Sequence, residues 1–201
     1  MKRRVGWGIS PIALLFFAGM IITDQSGICI AAIAAALVHE AGHLLAARWM
    51  HIALSGVRVE LFGARIAIGS GAVSYGQEWV LCAAGPFASL LLAAAVAPLG
   101  RSSEFFLALA YASLLLGGLN LLPIRSFDGG RMTEVLLCRF LGTRAAFLTV
   151  NALTAAMLFL LWATAAYFLL RSGGGFSFFC FALGLLARFI EYGKIGQNES
   201  F

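Results

Sequence analysis

The chain has 201 residues, a length for one domain or a small membrane protein, and composition decides between the two. Hydrophobic residues make up 61%, charged residues 11%, and the mean hydropathy is +0.93, which excludes an ordinary soluble domain. The net charge of +5 is no sign of a nucleic-acid partner until the positions of its charges are known.

Met1-Lys2-Arg3-Arg4 precedes an apolar run from Ile9 to Thr23. No Ala-x-Ala cleavage signal follows, so this run is expected to be a retained first membrane segment, about 9–23, rather than a removed signal peptide. Asp24-Gln25-Ser26-Gly27 reads as a turn, and a second segment covers about 28–48. Within it stand His39-Glu40-Ala41-Gly42-His43, flanked by alanines, leucines and isoleucines. Positions four apart share a helix face, so His39 and His43 can offer two imidazoles to one metal, with Glu40 beside them as a general base. Ionisable groups inside so apolar a helix are costly and point to function.

The next stretch, about 53–75, has another pattern. Val57 to Leu61 alternates apolar and charged residues and Ala64 to Ile68 continues the period. Gly69-Ser70-Gly71 would supply a turn, with Ala72 to Tyr75 returning as a short strand, so a β-hairpin is expected. Further membrane segments follow at about 78–99, 105–122, 145–170 and 175–190. The third contains Gly85-Pro86, which permits close packing or a local break. The four cysteines, Cys29, Cys82, Cys138 and Cys180, have no metal-binding spacing and read as small apolar residues.

The whole chain is therefore expected to be one domain, 1–201, an all-α polytopic membrane protein of six helices with a hairpin between the second and third. Six segments place both termini on one side. Of the 14 Lys and Arg, all but Arg101 and Arg171 then fall on that side, which predicts cytoplasmic termini in the cell membrane. His39 would lie roughly 18 Å below the outer surface and roughly 12 Å from the cytoplasmic edge.

A catalytic zinc takes three protein ligands and keeps one open position. Asp128, Glu134, Glu78 and His51 are candidates for the third, and the residues alone leave them open. Asp128 stands in Asn120-Leu-Leu-Pro-Ile-Arg-Ser-Phe-Asp128-Gly129-Gly130, and by itself it reads as a cap for a helix beginning near Gly129. The two glycines would give that loop backbone conformations closed to other residues.

A membrane His-Glu-x-x-His followed by Asn-x-x-Pro and Asp-Gly-Gly resembles the site-2 protease family of intramembrane zinc metalloproteases. The resemblance implies His39, His43 and Asp128 as zinc ligands, Glu40 as general base, and Asn120 beside the active site. It also implies hydrolysis of a peptide bond in a membrane-tethered protein substrate near the cytoplasmic face; the alternation from Val57 to Ile68 further suggests that the hairpin pairs with an unwound substrate strand. The bilayer is the expected environment, a membrane adaptor or inhibitor protein a further partner, and nucleic acid is not a partner. The compact layout is most similar to the sporulation-type branch, without a PDZ-like insertion or a nucleotide-binding domain after Lys194, and Ser89 stands where Asn often follows the Gly-Pro pair. Two rival readings are a small metal-binding transporter or channel, for which no internal repeat is visible, and an inactive relative that only binds membrane proteins.

Overall fold

The structure is a computed structural model that describes residues 8–9, 22, 24, 26–60, 63–68, 73–172, 179–180, 182–186 and 189, with backbone alone for 9, 57–60, 63–68 and 172. Most of the expected first membrane segment, half of the sixth, and the tail from Lys194 lie outside the described residues. The chain divides into two compact units, residues 1–120 and 121–201.

In the first unit, helix α1 spans Ile28–Trp49. Its buried stripe is Ala31, Ala35, His39, Gly42, His43 and Ala47, at helical spacing and almost entirely small apart from the two imidazoles. Small residues let backbones approach closely, which is how helices associate when lipid removes the hydrophobic drive between them. Helix α2 spans Tyr75–Val96 and continues as a 3₁₀ turn over Ala97–Arg101, and helix α3 spans Glu104–Asn120. Helices α1, α2 and α3 pack pairwise. One end of this packing is a cluster of Ala31, Ala35, Val96, Leu109 and Ala110.

Between α1 and α2 lies a small sheet of order β1-β2-β3. Strand β2, Leu54–Glu60, pairs antiparallel with β3, Gly63–Ile68, and β1, Gly8–Ile9, pairs parallel with β2. The chain therefore reverses between Glu60 and Gly63, and the turn expected at Gly69-Ser70-Gly71 lies outside the described residues. Tyr75 is no return strand. It opens α2, because the Ser74 hydroxyl accepts from the Gln77 N–H while the Gln77 side chain accepts from the Ser74 N–H, a capping box that starts a helix. Ile9, expected to begin a membrane segment, is in a strand.

The second unit begins with the loop 121–127 and continues into helix α4, Asp128–Leu141, and helix α5, Thr143–Ser172. Helix α4 is the helix expected to begin near Gly129, and its mixture of charged and apolar residues sets it apart from the membrane segments. Along α5, Ala146, Val150, Thr154 and Leu158 form a buried i, i+4 stripe. Ile124, Leu158 and Leu185 make the core of this unit, with Phe127, Met157 and Leu161 packed against it.

Helices Ile28–Trp49, Tyr75–Arg101 and Thr143–Arg171 are long and apolar enough to cross a membrane, and α3 is a shorter apolar helix. Their outer faces carry exposed Leu37, Leu45, Phe87, Leu91, Leu148, Phe159, Leu160 and Phe168. So much exposed apolar surface suits lipid, not water. The chain is a multi-pass membrane protein.

Candidate metal centre

The two histidines of α1 meet α2 along one stripe. His43 Nδ1 lies 2.8 Å from the Leu81 carbonyl oxygen and His39 Nδ1 lies 2.9 Å from Ser89 Oγ. Leu81 and Ser89 are eight residues apart, so with Gly85 midway they line one face of α2 opposite the His39–His43 face of α1. A carbonyl only accepts, so His43 carries its proton on Nδ1 and turns an Nε2 lone pair inward. The Ser89 hydroxyl can accept from His39 Nδ1–H and give His39 the same tautomer. A ligand imidazole typically has its second nitrogen held in this way.

The result is two Nε2 atoms 3.3 Å apart on rings only 4% and 7% exposed. Two nitrogens each bound at about 2.0–2.1 Å to one tetrahedral zinc stand roughly 3.3–3.4 Å from each other. The donor set and its spacing thus fit zinc. Space for an ion is secured by the absence of a side chain on α2: a Cβ at Gly85 would fall 2.2 Å from His43 Nε2 and 2.8 Å from His39 Nε2. Gly85 is the residue that leaves this cradle empty of protein.

Asp128 is the first residue of α4, whose N-cap position is Phe127, one residue before it. Its negative charge sits in the first helical turn, where the helix dipole favours it. Gly129 and Gly130 are needed for a different reason from the one inferred above. Neither has a positive φ; a Cβ on Gly129 would lie 2.2 Å from the Leu121 carbonyl oxygen, and one on Gly130 would lie 2.1 Å from that of Ile124. The glycines let the loop lie directly on the first turn of α4.

Of the sequence-based ligand candidates, His39 and His43 lie on α1 in the first unit and Asp128 opens α4 in the second. The other candidates have different duties. Glu134 accepts from Arg125 Nη2 at 3.0 Å. Glu78 lies in the first turn of α2. His51 is exposed, with φ of +54°, and forms the C-terminal turn of α1: its N–H donates to the Arg48 carbonyl and that of Ile52 to the Ala47 carbonyl. This is a Schellman end, with histidine where glycine is usual. Glu40 is half-buried on α1 beside His39. Asn120, at the end of α3, donates one amide hydrogen to the Leu116 carbonyl at 2.9 Å. The four cysteines form no disulfide.

No protein-family model matches the chain. Over 117 residues it is 32% identical to Rip3 of Mycobacterium tuberculosis, a protein named as a zinc metalloprotease, in strains Erdman and H37Rv. That match covers 53% of this chain and 30% of the relative. The solved structure of the site-2 protease from Methanocaldococcus jannaschii superimposes with a TM-score of 0.63 at 20% identity, covering 87% of this chain and 82% of that one. The fold is that of a site-2 protease. The six-segment layout and the sporulation-type resemblance are finer than these matches reach.

Ser89 and Gly85 are the site residues that sequence reasoning undervalued. Ser89 was read as a minor departure from Asn, yet it is fully buried and holds His39. The available signal was the Gly85–Ser89 spacing, which puts a residue without a side chain and a hydrogen-bonding one on the same face of an apolar helix.

Proposed function

We propose that this chain is an intramembrane zinc metalloprotease of the site-2 type, cleaving a membrane-tethered protein within or next to its transmembrane segment near the cytoplasmic face. The observation that carries this reading is the pair of buried Nε2 atoms 3.3 Å apart, each ring fixed from α2. His39, His43 and Asp128 would hold the zinc. The matched relative named as a zinc metalloprotease supports it.

A bound zinc supplies Lewis acidity and makes water a nucleophile at neutral pH. Glu40 accepts the proton from the attacking water and returns it to the leaving amine, which is general base and then general acid catalysis by one carboxylate. Asn120 keeps one amide hydrogen for the substrate backbone or the developing oxyanion, its other being bonded to Leu116. A helical substrate must unwind before its carbonyls are accessible. Strand β3, at one edge of the sheet, can pair with the extended chain that results. Prolines introduced in β3 are expected to slow cleavage, and unchanged cleavage would remove that role.

The remaining layout belongs to the same proposal: six membrane segments with both termini cytoplasmic, as the distribution of Lys and Arg favours. The rival, a metal-binding transporter or channel, is separated by Glu40. The test is cleavage of a membrane-tethered reporter co-reconstituted with the full chain. Glu40→Gln is expected to lower cleavage by about 10²–10⁴ while zinc remains bound. Cleavage retained at the wild-type rate would sink the protease mechanism.

A further inference from the structure

The histidine pair is fixed by hydrogen bonds to its own nitrogens. Asp128 is placed by a loop, and a seven-residue loop with few backbone bonds is a poor support for a metal ligand. Within that loop, Ile124 N–H donates to the Leu122 carbonyl at 2.7 Å and Phe127 N–H to the Ile124 carbonyl at 2.8 Å. These bonds define two tight turns, but they are internal. They shape the loop without attaching it to anything.

Arg125 supplies polar attachments to both α4 and α5. Arg125 lies within the second turn, and its backbone N–H donates to Thr154 Oγ1 at 3.0 Å. Its side chain donates from Nη1 to Asn151 Oδ1 at 2.8 Å and from Nη2 to Glu134 Oε1 at 3.0 Å. The guanidinium also lies over the Phe147 ring, 4.3 Å from its centre. Asn151, Thr154 and Phe147 are on α5, and Glu134 is on α4. Thr154 is 1% exposed, whereas the Arg125 and Glu134 side chains are about a quarter exposed.

An ion pair so exposed contributes little by itself. Geometry is the reason for four contacts. A planar fork bonded at two ends and stacked on a ring permits one orientation, and a backbone bond to a buried hydroxyl fixes the loop's height above α5. Ile124, next in sequence, is 1% exposed and seated in the core of this unit. The fixed loop in turn bears on Gly129 and Gly130 at distances that admit no side chain. The sequence of supports therefore runs from α5 through Arg125 to the loop, and from the loop to the first turn of α4.

We infer that Arg125 is a positioning residue for the third zinc ligand: by bolting the 121–127 loop to α4 and α5 it sets where the Asp128 carboxylate stands. Arg125 touches neither metal nor substrate. The inference rests on the proposal that Asp128 is a ligand, and deepens it.

The test is a zinc titration of the purified full-length chain against a competing chromophoric chelator. The variants are Arg125→Gln, Arg125→Lys, Thr154→Val, Asp128→Asn and the Arg125→Gln/Asp128→Asn pair, each with a thermal midpoint. Arg125→Gln is expected to weaken zinc binding about tenfold, within the range for lost outer-shell partners. Arg125→Lys restores part of this, because an ammonium cannot bond Asn151 and Glu134 as a fork. Should Arg125→Gln not fold, Thr154→Val, which removes only the acceptor of the Arg125 N–H, is expected to give a smaller loss in the same direction. Asp128→Asn is expected to cost more than about a hundredfold, beyond the usual outer-shell loss, and in its background Arg125→Gln changes nothing further. That last equality separates a residue acting through Asp128 from one that merely stabilises the fold. Arg125→Gln losses of equal size with and without Asp128 would overturn the inference, as would wild-type affinity in Arg125→Gln. Wild-type affinity in Asp128→Asn would show instead that the ligand assignment is wrong, and the positioning role falls with it.

Discussion

The two parts of the proposed zinc site are built by different means. On α1, two imidazoles four residues apart are held by direct bonds to α2, with helix backbones so close that a Cβ at Gly42 would lie 2.6 Å from the Ala84 carbonyl oxygen. Regular helices carry that side, and its tolerance is steric. On α4, one carboxylate follows an irregular loop held by polar bonds from Arg125 and by contact with two glycines. That side depends on polar bonds that span some 26 to 29 residues of sequence. The histidines take their spacing from neighbours in one helix and only their ring orientation from residues 38 and 50 positions away, whereas the loop has no regular helix to place it and relies on distant partners throughout.

The largest expected effect breaks the helical side. Gly85→Ala places a methyl group between the two Nε2 atoms, and zinc per chain should fall to near zero while the chain still inserts in the membrane. Retention of one zinc would mean that the cradle is elsewhere. Next comes Gly130→Ala on the loop side: a methyl 2.1 Å from the Ile124 carbonyl must push the loop away. Zinc affinity and the thermal midpoint should both drop, and an unchanged pair of values would refute the supporting contact. Smaller still is Ser89→Ala, which leaves His39 in place but unsupported. A loss of about tenfold in zinc affinity is expected, with Ser89→Thr close to wild type.

His51→Gly probes residues that belong to neither side. It relieves a left-handed conformation at the end of α1, so stability measured by thermal unfolding should rise by up to about 1 kcal/mol with zinc affinity unchanged. A fall in zinc affinity would bring His51 back as a ligand. The smallest effect concerns Asp24, ahead of α1. Hydrogen bonds from the Ser26 side chain, and from the backbone N–H of Cys29 and Ser26, hold its carboxyl below its ordinary value. A depressed carboxylate stabilises the fold above its unfolded pKa and loses that contribution as pH falls through the folded one. Asp24→Asn should therefore flatten the acid end of the stability profile, below about pH 4, and leave neutral pH almost untouched.

The same contrast explains what the sequence revealed. His39 and His43 were legible because their relation is local: four residues, one helix face, an apolar setting. The alternation at 57–60 and 64–68 was legible as strand, but the Ser74–Gln77 cap that makes Tyr75 open a helix was overlooked. Asp128 could not be told from Glu134 by the residues alone; only the resemblance singled it out. The partner of Glu134 is Arg125, nine residues away in the chain, and no local pattern reports that pairing. Ser89 lies 50 residues from His39, and a serine in an apolar helix carries no mark of the imidazole it faces. Gly129 and Gly130 were explained by conformational freedom, when their use is to be small, whereas Gly85 was read as permitting the close packing it provides.

The central claim is that one zinc is shared by both sides. Zinc-edge X-ray absorption on the purified full chain tests it most directly, comparing wild type with Asp128→Ala. Two imidazoles and oxygen donors at about 2.0–2.2 Å, with no sulfur, are expected in wild type, and a changed oxygen shell with both imidazoles kept in the variant. A sulfur ligand, a single imidazole, or identical spectra for the two proteins would contradict the account.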